Sequence, residues 1–113
     1  MRITNQRVVE HAFLRQMYDD PYFPDPLVDR GRLILLRLCA RVEAEEPTDL
    51  GGLYALTEAA TERFNALEGE FVAAGSEIET VARECICEEF CFVASAYGFE
   101  DADAEKLTAV RDW

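Results

Sequence analysis

Hydrophobic residues recur along most of this chain at intervals of three and four positions, the spacing that places them on one face of an α-helix. Breaks at proline, glycine and acidic residues divide the pattern into four main helices and a short fifth helix. No internal repeat or low-complexity run interrupts it. We therefore expect an all-α, single-domain helical bundle over residues 1–113.

The first predicted helix covers residues 5–18 and is followed by a proline-rich connector. Its expected inner residues are Val9, Phe13, Leu14 and Met17. Three prolines within residues 21–26 fix φ and disfavour helical geometry in the residues before them, so the connector is expected to be stiff. Tyr22 and Phe23, which lie among aspartates, either present an acidic and aromatic recognition patch or plug one end of the bundle.

The second predicted helix begins near Pro26 and ends at residues 45–47. Its core face comprises Leu27, Gly31, Ile34, Leu35, Leu38 and Val42. Leu33 and Leu36 project away from this face among charged residues, which leaves apolar surface for another helix or a partner to cover. The alternative is a buried strand over residues 33–39, although the flanking pattern is helical.

The second half of the chain contains the most regular predicted helices. The third begins after Thr48 or Asp49 as N-cap, and its stripe comprises Leu53, Leu56, Ala60, Phe64, Leu67 and Phe71. The fourth begins with a capping-box sequence at residues 76–79, ends near Gly98 and is apolar almost all round, which predicts the central helix. A short helix over residues 103–110 follows, and Trp113 is expected to fold back onto the bundle.

The charge distribution constrains the class of partner. The chain has 11 basic and 23 acidic residues and a net charge of −12. Residues 1–41 contain seven arginines and five acids, whereas residues 42–113 contain four basic residues and eighteen acids. An acidic field repels phosphate groups, so nucleic acid and anionic membranes are disfavoured and a basic protein is favoured. The simpler interpretation is that the acids solvate helix faces.

The targeting and catalytic motifs that the sequence lacks exclude several further classes of protein. The N-terminal residues lack the apolar run of a signal peptide, and no stretch is long enough to span a membrane, which predicts a cytoplasmic protein. The chain contains no nucleophile elbow and no phosphate-binding glycine loop. The single histidine, His11, follows Val8 rather than a glutamate at the third position before it, which argues against a di-iron bundle site.

The cysteines form the most distinctive local cluster. Cys85, Cys87 and Cys91 fall within two turns of the fourth predicted helix, and Cys39 comes from the second. Zinc sites commonly use pairs separated by two residues, a spacing that is absent here. Packing as small apolar side chains is therefore the preferred interpretation, with a metal site or a redox switch as the alternatives. No cofactor is expected.

Glu89 falls at the centre of the apolar face of the fourth predicted helix. A buried carboxylate must be paired or protonated, and the expected partners are an arginine from another helix, Tyr54 or Thr57. A structural hydrogen bond is the preferred interpretation, and general acid chemistry is the alternative.

Several strings together resemble a family of short bacterial proteins of unknown function. They are Met-Tyr-Asp-Asp-Pro-Tyr-Phe-Pro at residues 17–24, Ala-Tyr-Gly-Phe at residues 96–99 and the terminal Arg-Asp-Trp. The resemblance spans nearly the whole chain and implies a self-contained domain. It implies no catalytic residue, ligand or partner.

These observations favour a small acidic protein-interaction module over an enzyme. Its sharper form is an immunity or antitoxin-like protein that neutralises a basic partner. The candidate interaction residues are Tyr22, Phe23, Leu33, Leu36, Glu84 and Glu88. The alternatives are a homodimer through Leu33 and Leu36, or a helical enzyme or metal or thiol protein that uses Glu89, His11 or the cysteine cluster.

Overall fold

The computed structural model describes residues 2–113, which form a helical bundle with no strand among them. The six helices are α1 (Gln6–Val9), α2 (Arg15–Tyr18), α3 (Asp25–Glu45), α4 (Leu50–Ala73), α5 (Thr80–Ala96) and α6 (Ala104–Leu107). The predicted all-α class is confirmed. Residues 33–39 lie inside α3, so the alternative of a buried strand is wrong.

The long helices α3 and α4 form an antiparallel hairpin. Pro26 occupies the first turn of α3, and Glu46 ends this helix in the left-handed region with φ +47°. The Asp49 side chain accepts a hydrogen bond of 2.8 Å from the backbone N–H of Gly52 and so caps α4, as predicted. All six residues of the predicted α4 stripe are buried. The hairpin is thus the part of the fold that local sequence predicts best.

The helix α5 contacts α3 of this hairpin, the single turns α1 and α2, and α6. Ile86, Phe90 and Val93 are fully buried, and the Phe90 ring meets the Phe64 ring edge to face at 5.9 Å. The predicted capping box at residues 76–79 is wrong, because the N-cap is Glu79. Ser76 instead precedes the helix by four residues, and its hydroxyl is buried without a partner.

The N-terminal segment differs most from the prediction. Instead of one helix over residues 5–18, it forms the single turns α1 and α2, separated by non-helical residues. Val8 is buried and Val9 is 56% exposed, so the expected inward position of Val9 is wrong. Phe13, Leu14 and Met17 are buried as predicted. Because the two turns are separate, Val8 and Phe13 do not share the face of one helix.

The C-terminal segment packs against α4 and α5. The helix α6 is shorter than predicted, but Trp113 folds back as expected, with its ring 6.1 Å from that of Phe64. The side chain of Asn65 holds this segment through hydrogen bonds with the Val110 carbonyl and the Asp112 N–H, at 3.0 and 3.1 Å. Across residues 2–113, no helix is both long and apolar enough to cross a membrane.

Candidate functional site

Glu89 of α5 is the buried charged residue around which the N-terminal segment is organised. It is 8% exposed, and its two carboxylate oxygens have different partners. Oε1 lies 2.8 Å from Nε2 of His11, and Oε2 accepts a hydrogen bond of 2.6 Å from the backbone N–H of Leu14. The expected partners, an arginine, Tyr54 or Thr57, are therefore wrong. Both carboxylate oxygens face the N-terminal segment rather than another long helix.

The hydrogen bond to Leu14 explains why the predicted first helix is broken. Leu14 has φ +59°, a left-handed conformation that costs a non-glycine residue about 1–2 kcal/mol. Its side chain is 1% exposed, and its N–H reaches a carboxylate instead of a helical carbonyl. Burial and a charge-assisted hydrogen bond offset the strain. The carboxylate of Glu89 thus takes the place of a helical carbonyl as the acceptor for the Leu14 N–H.

His11 lies between this carboxylate and two aromatic rings. Its ring stacks on Phe92 with centroids 3.8 Å apart, and it meets the edge of Phe13 at 4.6 Å. Nε2 of the ring faces the Glu89 carboxylate, and Nδ1 is the second ring nitrogen that can donate or accept a hydrogen bond. The side chain is 28% exposed. The imidazole is therefore fixed in orientation yet reachable from solvent.

An open cleft of about 460 Å³ lies beside the pair, and we call it the acidic cleft. It is lined by Glu10, His11, Ala12, Arg15, Gln16, Cys85, Glu88 and Glu89. The lining thus contains three carboxylates and one guanidinium. Glu84 is exposed one helical turn before Glu88, so the carboxylate surface continues along α5.

The four cysteines are all free thiols. Burial, assisted by the negative charge of Glu89, raises the pKa of the Cys85 thiol to about 11, and burial raises that of Cys39 to about 12. Both therefore carry protons at neutral pH, which makes them poor nucleophiles. Within residues 2–113, no three His, Cys, Asp or Glu side chains are grouped to hold a metal ion.

The four apolar or aromatic candidates for a partner contact, Tyr22, Phe23, Leu33 and Leu36, differ in exposure and do not form one surface. Tyr22 is 44% exposed, but Phe23 is 1% exposed and packs edge to face on Phe71. Phe23 thus fills the core, as in the second of the two interpretations, and does not offer its ring to a partner. Leu33 is 38% exposed beside α4, whereas Leu36 is half-buried against the core. The structure does not unite Leu33 and Leu36 in one cavity.

A second polar cluster anchors the start of the chain. The carboxylate of Glu43 accepts hydrogen bonds from the Thr4 N–H, the Asn5 N–H and the Tyr97 hydroxyl, at 2.9, 3.1 and 2.5 Å. Burial raises the pKa of the Glu43 carboxyl, but hydrogen bonds from Tyr97 and Thr4 outweigh that effect and hold the pKa at about 2. This cluster fixes the segment that leads to His11.

Sequence reasoning singled out both His11 and Glu89 but did not pair them. They lie 78 positions apart in the sequence, and the folded N-terminal segment places the imidazole beside Glu89 of α5. The one available signal is a carboxylate at the centre of an apolar helix face. That pattern predicts a buried partner without identifying it.

Comparisons with known proteins give a family and no activity. Residues 7–113 match the model of a family of unknown function, DUF5713. No curated protein and no solved structure shows significant similarity to the chain. Because the match spans the acidic cleft and all the long helices, the chain belongs to the DUF5713 family of unknown function.

Proposed function

We propose that this protein is a non-enzymatic interaction module that binds a basic protein partner through the acidic cleft and the adjoining surface of α5. The observation that carries the proposal is the arrangement of Glu84 and Glu88. Both are exposed, they are one turn apart, and neither forms an ion pair with another residue among 2–113. Their carboxylates are therefore available to a lysine or arginine from outside.

The charge of the whole molecule supports this choice of partner. A net charge of −12 attracts a cationic protein and speeds its association, and the effect weakens as salt screens the field. Within the cleft, Arg15 is the single basic side chain that offsets the lining carboxylates. The sharper form of the proposal is an immunity or antitoxin-like role, in which the bound basic protein is toxic when free.

The experiment compares three immobilised baits in lysate of the cells that naturally contain the protein. The baits are the wild type, the double variant Glu84→Lys with Glu88→Lys, and the double variant Glu58→Lys with Glu62→Lys. The last pair is the matched control, because both residues are exposed one turn apart on α4 and the change in charge is identical. We expect a stoichiometric basic protein on the wild type and the control, and its loss from the α5 variant.

The salt dependence of capture distinguishes the possible results of this experiment. The expected complex dissociates as the salt concentration is raised, because the contact is electrostatic. Equal capture by all three baits would contradict the proposed surface. Capture that resists high salt would contradict the proposed mechanism. Light scattering of the purified protein tests the homodimer alternative directly, since a dimer gives twice the monomer mass.

Acid–base chemistry at His11 is a second candidate, favoured by its 2.8 Å contact with Glu89. A carboxylate that orients an imidazole is an arrangement that general bases use. Hydrolysis of p-nitrophenyl acetate, compared with His11→Gln and with equimolar free imidazole, tests it. A rate well above that of free imidazole would support an enzyme. A rate equal to it would leave the binding role as the better account.

A further inference from the structure

The outer side of the α3–α4 hairpin carries a groove that the proposed function does not use. Two adjoining cavities of about 260 and 200 Å³ share Ile34, Arg37 and Arg63. Every residue that lines them belongs to α3 or α4, so no other helix covers this side. We call the combined feature the arginine groove. Its lining extends from residue 30 to 41 on α3 and from residue 56 to 70 on α4.

Two arginines in the middle of the groove have no acidic partner. Arg30 is paired with Glu70, and Arg41 lies 2.9 Å from Glu45. Arg37 and Arg63 form no ion pair with any carboxylate among residues 2–113. They project from facing helices beside apolar side chains. The groove therefore combines an apolar floor with two free guanidinium groups in a molecule that is otherwise strongly acidic.

We propose that the arginine groove binds an amphipathic helix of another protein, with a carboxylate of that helix placed between Arg37 and Arg63. At 1.5 Å per residue, the lining spans roughly 16–21 Å, which is about three to four helical turns. Leu33 and Ile34 offer apolar contact, and Ala59 and Ala66 leave room for a helix to approach closely. Guanidinium groups bind carboxylates with two parallel hydrogen bonds.

Charge complementarity selects this occupant over a second copy of the chain. A symmetric dimer through the groove would bring the Arg37 and Arg63 of both copies to one interface, because such an interface repeats the same patch. Four unpaired guanidinium groups would then repel one another. A helix with glutamates or aspartates beside an apolar stripe meets the same surface without that penalty. The proposal does not depend on the acidic cleft.

The test uses a fluorescein-labelled peptide of about 18 residues, designed as an amphipathic helix with leucines at positions i, i+3, i+4 and i+7 and glutamates beside them. A second peptide has lysine at each glutamate position. Fluorescence anisotropy measures their binding to the full-length wild type, to Arg37→Gln with Arg63→Gln, and to the control Arg32→Gln with Arg83→Gln. Arg32 and Arg83 also lack ion pairs but lie outside the groove.

We expect the glutamate peptide to bind the wild type and the control equally, and to bind the groove variant at least about tenfold more weakly. The lysine peptide should bind all three proteins weakly. Amide chemical shifts should change at Ile34 and Ala59 when the glutamate peptide is added, and should stay unchanged at Glu84 and Glu88. This pattern would locate the helix in the groove.

Four outcomes would overturn the proposal. They are no binding of the glutamate peptide, equal binding of both peptides, equal binding to the groove variant, and shift changes confined to α5. A wild-type dimer that Ala59→Arg converts to a monomer would assign the groove to a second copy instead. Displacement of the peptide by oleate at comparable affinity would assign it to an acyl chain. Circular dichroism confirms that each variant remains folded.

Discussion

The acidic cleft and the arginine groove are opposite in charge and differ in construction. The cleft joins residues 10–16 to residues 85–89, which meet only when the N-terminal segment folds over α5. The groove lies between two helices that follow each other in the chain. The cleft thus depends on a long-range contact, and the groove depends on a local hairpin. The net charge of −12 agrees in sign with the acidic cleft but gives no indication of the positively charged groove.

The largest expected effect is at the contact that builds the cleft. We expect Glu89→Ala to lower the free energy of unfolding by about 2–4 kcal/mol, because it leaves His11 and the Leu14 N–H without their buried partner. Chemical denaturation measures this change. Glu88→Ala, at an exposed position, is the control and should change stability by less than about 0.5 kcal/mol. Similar changes in the free energy of unfolding for the two variants would mean that Glu89 does not hold the N-terminal segment in place.

The contact of α3 with the N-terminal segment and α4 at Gly31 should tolerate little added volume. A Cβ atom on Gly31 would lie 3.1 Å from Leu14 Cδ1 and 3.2 Å from Phe64 Cε1. We expect Gly31→Val to destabilise the fold by about 1–3 kcal/mol through overpacking. Gly69→Ala is the matched control, since its Cβ would meet nothing within 4 Å. It should raise the free energy of unfolding by about 0.5–1 kcal/mol, because alanine has the higher helix propensity. Thermal unfolding of both variants checks the contrast.

The anchor at Glu43 should make stability depend on pH. Its pKa is about 2 in the folded protein and near 4.5 in an unfolded chain. The contribution is therefore complete above about pH 5 and disappears as the pH falls toward 2. Glu43→Gln should lower stability at pH 7 by about 1–2 kcal/mol and reduce this slope. Denaturation at several pH values tests both effects, and an unchanged slope would contradict the assignment.

The smallest effect on stability is expected in the groove. Arg37→Gln with Arg63→Gln removes two exposed charges that have no partner, so the free energy of unfolding should change by less than about 0.5 kcal/mol. The same variants should weaken binding of the glutamate peptide. A loss of several kcal/mol in stability would instead show that these arginines support the hairpin. Denaturation and anisotropy on the same samples separate the two roles.

The elements that sequence reasoning predicted correctly depend on neighbours in the chain. The stripe of α4, its cap at Asp49 and the end of α5 at Gly98 follow from the helical period and from the preferences of single residues. The prediction failed at Ser76, because the capping pattern says nothing about which nearby residue enters the core. At Phe23 the sequence left two interpretations open, and the structure turns the ring inward to meet Phe71.

The sequence by itself determined the long helices, the buried stripe of α4 and the excess of acidic residues. The tertiary structure decided that the first helix breaks at Leu14, that Glu89 meets His11, and that Arg37 and Arg63 face one groove without acidic partners. The physical reason is the distance along the sequence over which each interaction acts. Helix periodicity and capping act over three or four residues. A buried carboxylate instead accepts hydrogen bonds from the donors that tertiary packing places beside it, at any distance along the sequence.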